Sequence, residues 1–213
     1  LICGILEDDH GNLWISTNNG ISEFINGTKI PREVCFRNFS VGDGLQSDEF
    51  TPQSFCRTSD GILYFGGING MNYFDPSNII SNNHIPPVVI TDLKILNRSV
   101  LPGDPDSPLQ HTISKTSEVK VSYKESIITF EFAALDFTLP SKNQYKYMLE
   151  GFDTKWNEVG NQRSATYTNL NPGKYLFRVI ASNNDGIWNT AGTSLRLIIT
   201  PPFWKTWWFR ASL

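Results

Sequence analysis

Alternation with period two between Tyr145 and Ala181 limits what this chain can fold into more than any other feature. Tyr145, Tyr147 and Leu149 fall on one side of an extended segment, and Ala165 and Tyr167 on one side of a second. Tyr175, Phe177, Val179 and Ala181 fall on one side of a third, with Lys174, Leu176, Arg178 and Ile180 opposite. Successive side chains of a strand point to opposite faces, so the pattern predicts three strands with one buried face each. Val88 to Leu96, then Ile128, Phe130 and Phe132, and finally Leu195, Leu197 and Ile199 extend the set. The total is roughly seven strands, the number of an immunoglobulin-like sandwich.

The joint before the third strand is Leu170-Asn171-Pro172-Gly173-Lys174-Tyr175. Pro172 fixes φ and Gly173 permits a tight bend. The joint resembles the tyrosine corner of immunoglobulin-like sandwiches, in which a Tyr near the start of a strand bonds backbone a few residues upstream. Tyr175 is therefore expected to be buried, with its hydroxyl bonded near Asn169 to Asn171. The wider stretch resembles the three-tyrosine (Y_Y_Y) domain of bacterial hybrid two-component sensors. The match runs through Tyr145-x-Tyr147-x-Leu149-Glu150-Gly151-Phe152-Asp153, Trp156, Tyr167 to Leu170, Pro172-Gly173-x-Tyr175, and Asp185-Gly186-x-Trp188.

The first third repeats itself. Gly11-Asn12-Leu13-Trp14-Ile15 aligns with Gly61-Ile62-Leu63-Tyr64-Phe65, and Gly20-Ile21-Ser22-Glu23-Phe24 with Gly70-Met71-Asn72-Tyr73-Phe74. The offset is about fifty residues without a gap, a period that suits propeller blades. Asn19-Gly20 and Asn69-Gly70 are hairpin signals, because both residue types tolerate positive φ. Trp14 and Tyr64 are expected at matching places in successive blades. These copies are similar to the two-component regulator propeller repeat. Gly44-Leu45-Gln46-Ser47-Asp48-Glu49-Phe50 with Tyr64 to Gly70 resembles that family's last blade. The chain supplies about two blades, and the second has no evident fourth strand after Phe74, which leaves strand edges open.

The whole reads as an all-β chain: a partial β-propeller, then an immunoglobulin-like or fibronectin type III-like β-sandwich. C-terminal propeller blades occupy 1–76, a polar linker 77–87, the sandwich 88–200 and an aromatic tail 201–213. In the tail, Pro201 and Pro202 stiffen the departing chain. Trp204, Trp207 and Trp208 beside Lys205 and Arg210 read as an interfacial belt outside a membrane span, or else as a clasp on the sandwich.

Little in the chain argues for chemistry. With 39% hydrophobic and 13% aromatic residues it can build cores, and a net charge of −3 gives no basic field for nucleic acid. Cys3, Cys35 and Cys56 lack metal or redox spacing and read as small buried hydrophobes, although Cys35 and Cys56 could pair in an oxidising compartment. Asp8 with Asp9, and Asp48 with Glu49, read as turn acids. His10, His84 and His111 are too far apart in sequence to suggest a ligand set. No catalytic, metal or cofactor residue is assigned.

The resemblance implies a periplasmic, signal-relaying fragment of a hybrid histidine kinase and response regulator, anchored to the inner membrane. It implies an oligosaccharide, a glycan breakdown product, bound mainly on propeller blades outside this chain, a homodimer in the intact sensor, and a membrane next to the C-terminus. The kinase chemistry would belong to the intact protein and not to this fragment. The alternative is the accessory sandwich and propeller portion of an extracellular carbohydrate-active enzyme or adhesion protein. An apolar run of about twenty residues after Leu213 would favour the sensor.

Overall fold

The computed structural model describes residues 1–29, 34–105, 107–202 and 204. They form two compact units, Leu1–Ser81 and Asn82–Leu213. Among the described residues there is no α-helix, only three short 3-10 turns.

The first unit holds two antiparallel sheets. β1 (Ile2–Glu7), β2 (Leu13–Thr17), β3 (Gly20–Phe24) and β4 (Phe36–Phe39) pair in that order. β5 (Phe50–Arg57), β6 (Leu63–Gly67) and β7 (Gly70–Phe74) form a second sheet of three strands. The fifty-residue repeat holds at the level of backbone pairing. Trp14 lies opposite Leu6 and Glu23, and Tyr64 lies opposite Cys56 and Tyr73. Trp14 and Tyr64 are thus equivalent in register, yet Trp14 is 1% exposed while Tyr64 is half-buried. The reason lies in which face finds a partner. The Trp14 face of the first sheet packs on the Leu63 and Phe65 face of the second, giving one core with Cys3, Ile21 and Phe50. Among the described residues of this unit no third sheet packs on the Tyr64 face of the second sheet.

Contact between the two sheets is close. Trp14 meets Phe74 at 4.9 Å between ring centroids, Arg57 pairs with Asp9, and a Cβ on Gly4 would stand 2.2 Å from the Phe55 ring. The hairpins differ from expectation in one respect: only the glycine of each Asn-Gly pair is left-handed, Gly20 at φ 89 and Gly70 at φ 123. The cysteines differ more. All three are free, and Cys3 alone is buried, its thiol donating to the Phe50 carbonyl at 3.1 Å. Cys35 and Cys56 are exposed, Cys56 because the face it shares with Tyr64 is the uncovered one.

Among the described residues the second unit is a sandwich of nine strands, two more than the pattern suggested. Its strands are β8 (Val88–Ile95), β9 (Arg98–Ser99), β10 (Glu118–Ser122), β11 (Ile127–Ala134), β12 (Tyr145–Glu150), β13 (Asn157–Gly160), β14 (Ser164–Thr168), β15 (Gly173–Ser182) and β16 (Trp188–Thr200). One sheet runs β10-β16-β15-β12-β13 and the other β14-β11-β8-β9. All pairs are antiparallel except β10 with β16, which run parallel from Glu118↔Arg196 to Ser122↔Thr200. Phe130 of one sheet stacks on Phe177 of the other at 4.1 Å and 10°. Around them Leu93, Val119, Ile128, Leu149, Val179, Leu195 and Leu197 are fully enclosed. Each such side chain contributes about 1.5–3 kcal/mol on burial.

The stretch read as a linker is divided. Ile79 packs on the first core, and Arg37 donates to the Ile80 carbonyl at 3.3 Å, so 77–81 closes the first unit. From Asn82 the chain is bonded into the sandwich.

Gly4→Val should lower the stability of the first unit by about 1–3 kcal/mol, the usual cost of overpacking, since the Phe55 ring already occupies the space. Denaturant unfolding measures it; an unchanged midpoint would show that the two sheets do not pack as described.

Candidate functional site

Tyr175 anchors the sandwich end of the candidate site. It is 9% exposed, and its hydroxyl donates to the Asn171 carbonyl at 2.9 Å. The bend depends on a different residue from the one the sequence suggests. Asn169 takes the left-handed conformation at φ 53 and donates its N–H to the Ser126 carbonyl at 2.7 Å. Gly173 has ordinary φ and opens β15, Pro172 is exposed, and Leu170 is buried at the edge of the core. Gly151, at φ 93, lies against the Tyr175 ring, where a Cβ would be 3.2 Å from Cδ1.

The other tyrosines form a connected set. Tyr145 is 1% exposed, and its hydroxyl accepts from the Ala134 N–H at 3.1 Å, tying β12 to the opposite sheet. Tyr147 packs against Phe132, Tyr167 and Phe177. The Tyr167 hydroxyl donates to Asp153 Oδ2 at 2.6 Å, and the same oxygen accepts from the Leu149 N–H at 2.8 Å. Burial, and then the Asp153 carboxylate, push the Tyr167 hydroxyl far above the usual phenol range, so it remains a donor. Asp153 thus closes the Leu149-Glu150-Gly151-Phe152-Asp153 turn. The motif contained it, but nothing in its spacing said that it would hold Tyr167.

The densest polar cluster lies where the chain enters the sandwich. Asn183 is 0% exposed and has all four carboxamide positions filled. Its Nδ2 donates to the Asn82 carbonyl at 2.6 Å and the His84 carbonyl at 2.8 Å, and its Oδ1 accepts from the Asp185 and Ile187 N–H groups at 2.9 Å each. Asn82 in turn gives its backbone N–H to Asp185 Oδ2 at 2.6 Å, and its side chain to Asp136 at 2.9 Å and Asn184 at 2.8 Å. Asn189, in β16, donates to the Pro86 carbonyl at 2.9 Å. Burial would raise the Asp136 carboxyl, but hydrogen bonds from Asn82 and Thr138 outweigh it and hold it below the ordinary value.

Both motif tryptophans flank the outer face of the five-stranded sheet, each under a cation. Lys146 Nζ sits 4.8 Å from the Trp188 ring, and the Arg178 guanidinium 5.5 Å from Trp156. At the far end of β16 the chain stays on the sandwich. The Thr200 hydroxyl donates to the Val121 carbonyl at 3.2 Å, Pro202 is buried while Pro201 is exposed, and Trp204 meets Tyr123 edge-on at 5.8 Å. Trp204 is 46% exposed, so it is only partly clasped against the sandwich. Trp207 and Trp208 lie outside the described residues.

In the first unit a cavity of about 260 Å³ opens beside Trp14, Phe39, Leu45, Asn72 and Tyr73. Asp8 proves to be more than a turn acid. It is 5% exposed and accepts from the His10 and Asn12 backbones and the Asn12 side chain at 2.9 Å each, and from the Trp14 indole at 3.0 Å. Burial raises its carboxyl, and these donors together bring it below the ordinary value. Among the described residues no group of three or more His, Cys, Asp and Glu is placed to hold a metal ion.

A propeller segment with a tyrosine-cornered sandwich behind it defines a class, and the comparisons agree with it. Residues 1–19 match the two component regulator propeller and residues 136–200 the Y_Y_Y domain. The chain is a two component regulator propeller fragment followed by a Y_Y_Y domain. It is homologous to the extracellular domain assigned to the hybrid two component system BT3049 of B. thetaiotaomicron. The two are 34% identical with a TM-score of 0.75, over 94% of this chain and 26% of that one. The extracellular domain of BT4673 from the same organism is 26% identical with a TM-score of 0.53, over 95% of this chain and 25% of that one. Histidine kinase P4 of Formosa agariphila is 34% identical over 204 residues, which are 96% of this chain and 14% of the relative. The chain therefore spans a small part of the proteins it matches.

Tyr175→Phe should cost the sandwich about 1 kcal/mol, the net worth of a typical hydrogen bond, read from its denaturant midpoint. Asp8 supplies a pH test. A carboxyl lowered in the folded state stabilises above its unfolded value near about 3.9, and that contribution is lost as pH falls through the folded value. Between pH 6 and pH 3 the first unit should therefore lose more stability in the wild type than in Asp8→Asn. Thermal unfolding at each pH measures both, and parallel curves would contradict the assignment.

Proposed function

We propose that this chain is the signal-relaying portion of the periplasmic sensor region of a hybrid histidine kinase. In this reading the intact, inner-membrane-anchored protein is a homodimer that responds to glycan breakdown products bound mainly by other blades of its propeller. Support for the class comes from homology to extracellular domains of hybrid two component systems and to a histidine kinase. The glycan follows from the resemblance to propeller sensors of this family. The relay role rests on one observation: a single strand, β16, connects the place where the chain enters the sandwich to the place where it leaves.

At its start, β16 and the turn before it hold Asn82, His84 and Pro86 through Asn183, Asp185 and Asn189. At its end, Thr200 is bonded to β10, and Pro202 and Trp204 rest on the sandwich. From Arg196 to Thr200 the strand is paired on both sides, with β15 and with β10, while its first part pairs with β15 alone and shifts register between Asn189 and Thr193. At about 3.3 Å per residue its thirteen residues span roughly 40 Å. A displacement delivered at Asn82 would pass to Thr200 along one continuous strand whose last five residues are held on both sides. Two consecutive prolines then fix φ and offer no backbone donor, so the departing segment resists fraying.

Two substitutions in the intact sensor test this together. Asn82→Ala removes bonds from the Asn82 side chain to Asp136 and Asn184. Replacing Pro201-Pro202 by Gly-Ser loosens the departing segment. Each should leave ligand affinity of the sensor region unchanged by calorimetry and weaken ligand-dependent reporter output in cells. Full output from both variants would rule the relay out.

A further inference from the structure

We propose that the free edge of β10 in the sandwich is a self-pairing surface. Two copies of the chain join their β10 edges antiparallel about Val119, so that the five-stranded sheet of one continues into that of the other. This gives the homodimer of the proposed reading a surface, but it rests on the strand edge alone.

β10 ends its sheet, with β16 on one side only. At one end of the parallel ladder between them the Arg196 N–H donates to the Ser117 carbonyl at 3.0 Å, and at the other the Tyr123 N–H donates to the Thr200 carbonyl at 3.2 Å. Peptide groups alternate in direction along a strand. Ser117, Val119, Val121 and Tyr123 therefore turn theirs toward β16, and Glu118, Lys120 and Ser122 turn theirs away. The Ser122 N–H is taken by the Glu125 carboxylate at 2.9 Å. Among the described residues no hydrogen bond reaches the outward peptide groups of Glu118 and Lys120. The margin is open to solvent: the Lys120 side chain is 68% exposed, and Glu118 and Lys120 line an open groove with Gln110 and His111.

An open edge attracts strands in general, and its side chains decide which. Val119 and Val121 point into the core, so Glu118 and Lys120 share the outer face of the sheet. Antiparallel pairing centred on Val119 sets Glu118 opposite Lys120 of the second copy, and Lys120 opposite its Glu118. The outward N–H and C=O groups of both strands meet at these same positions, so each charged pair also exchanges both of its backbone hydrogen bonds. Neighbouring registers fail on charge. Centring on Glu118 sets it against its own copy, centring on Lys120 does the same for the lysine, and parallel pairing in register opposes like to like. A lysine on an edge keeps most strands away. This one admits a strand that carries Glu two residues before its own Lys. Within one chain Glu118 already meets Arg196 at 3.3 Å and Lys120 at 3.8 Å, so pairing joins two such clusters into one network. The contact is isologous and closes at a dimer.

Sedimentation equilibrium on the reduced chain, up to millimolar concentration, tests the proposal with Glu118→Lys and Lys120→Glu. The wild type should form a dimer. Each charge reversal should weaken it about tenfold, because both cross-strand pairs turn from attractive to repulsive. The chain carrying both reversals should dimerise like the wild type, and an equimolar mixture of the two single variants should form a mixed dimer. Lys120→Pro is an independent block. It removes an outward N–H that the ladder with β16 does not use, so the unfolding midpoint should hold while the dimer is lost. A wild type that stays monomeric overturns the proposal. So does association that ignores the reversals, or that the double reversal fails to restore. Such results would leave a homodimer of the intact sensor standing, which crosslinking of that protein in its membrane reads separately.

Discussion

The Asn183 carboxamide is the interaction on which the sandwich most depends. It gives two hydrogen bonds to the incoming chain at Asn82 and His84, and takes two from the turn that launches β16. At 0% exposure the Asn183 carboxamide itself has no water to fall back on. Removing the amide would take a hydrogen bond from two carbonyls and two N–H groups at once, each worth about 0.5–1.5 kcal/mol net. Asp136 and Asp185 extend the cluster, and in a low dielectric such networks strengthen as a set and fail as a set. The segment from Asn82 to Pro87 is for this reason part of the sandwich rather than a tether.

The aromatic core does a different job. Stacking of Phe130 on Phe177 joins the two sheets without direction, while three tyrosine hydroxyls supply the directional ties. Tyr145 reaches the opposite sheet, Tyr167 holds the turn after β12, and Tyr175 holds the turn before β15. Each sits where an apolar ring can be buried and a polar tip still finds a partner. The register of β12, β14 and β15 is fixed by these rings, because a slip of one residue would turn every one of them to the opposite face.

The sequence showed those parts of the fold that follow from local rules. Alternation located β8, β11, β12, β14, β15 and β16, and the Leu-x-Pro-Gly-x-Tyr spacing located the corner. It did not show features set by distant partners. Trp14 and Tyr64 are equivalent in register but differ in burial, since only one of their faces meets another sheet. Asn82 looks like any polar linker residue until Asn183 is beside it, a hundred residues away. β9 and β13 are short and only partly apolar, so they carry little periodic signal, whereas β10 does alternate, with Val119 and Val121 buried between polar neighbours, and is simply short. Trp204 has the composition of a membrane belt, yet its ring finds Tyr123.

Native-state amide hydrogen exchange on the chain tests the central claim most directly. If the incoming segment and the start of β16 are one unit, the amides of Asn82 and Leu135 on one side and of Asp185 and Ile187 on the other should open together, with one free energy close to that of the sandwich core. Exchange at Asn82 orders of magnitude faster than at Asp185 and Ile187 would contradict it, because the incoming chain would then be free of the strand that is held to carry its motion.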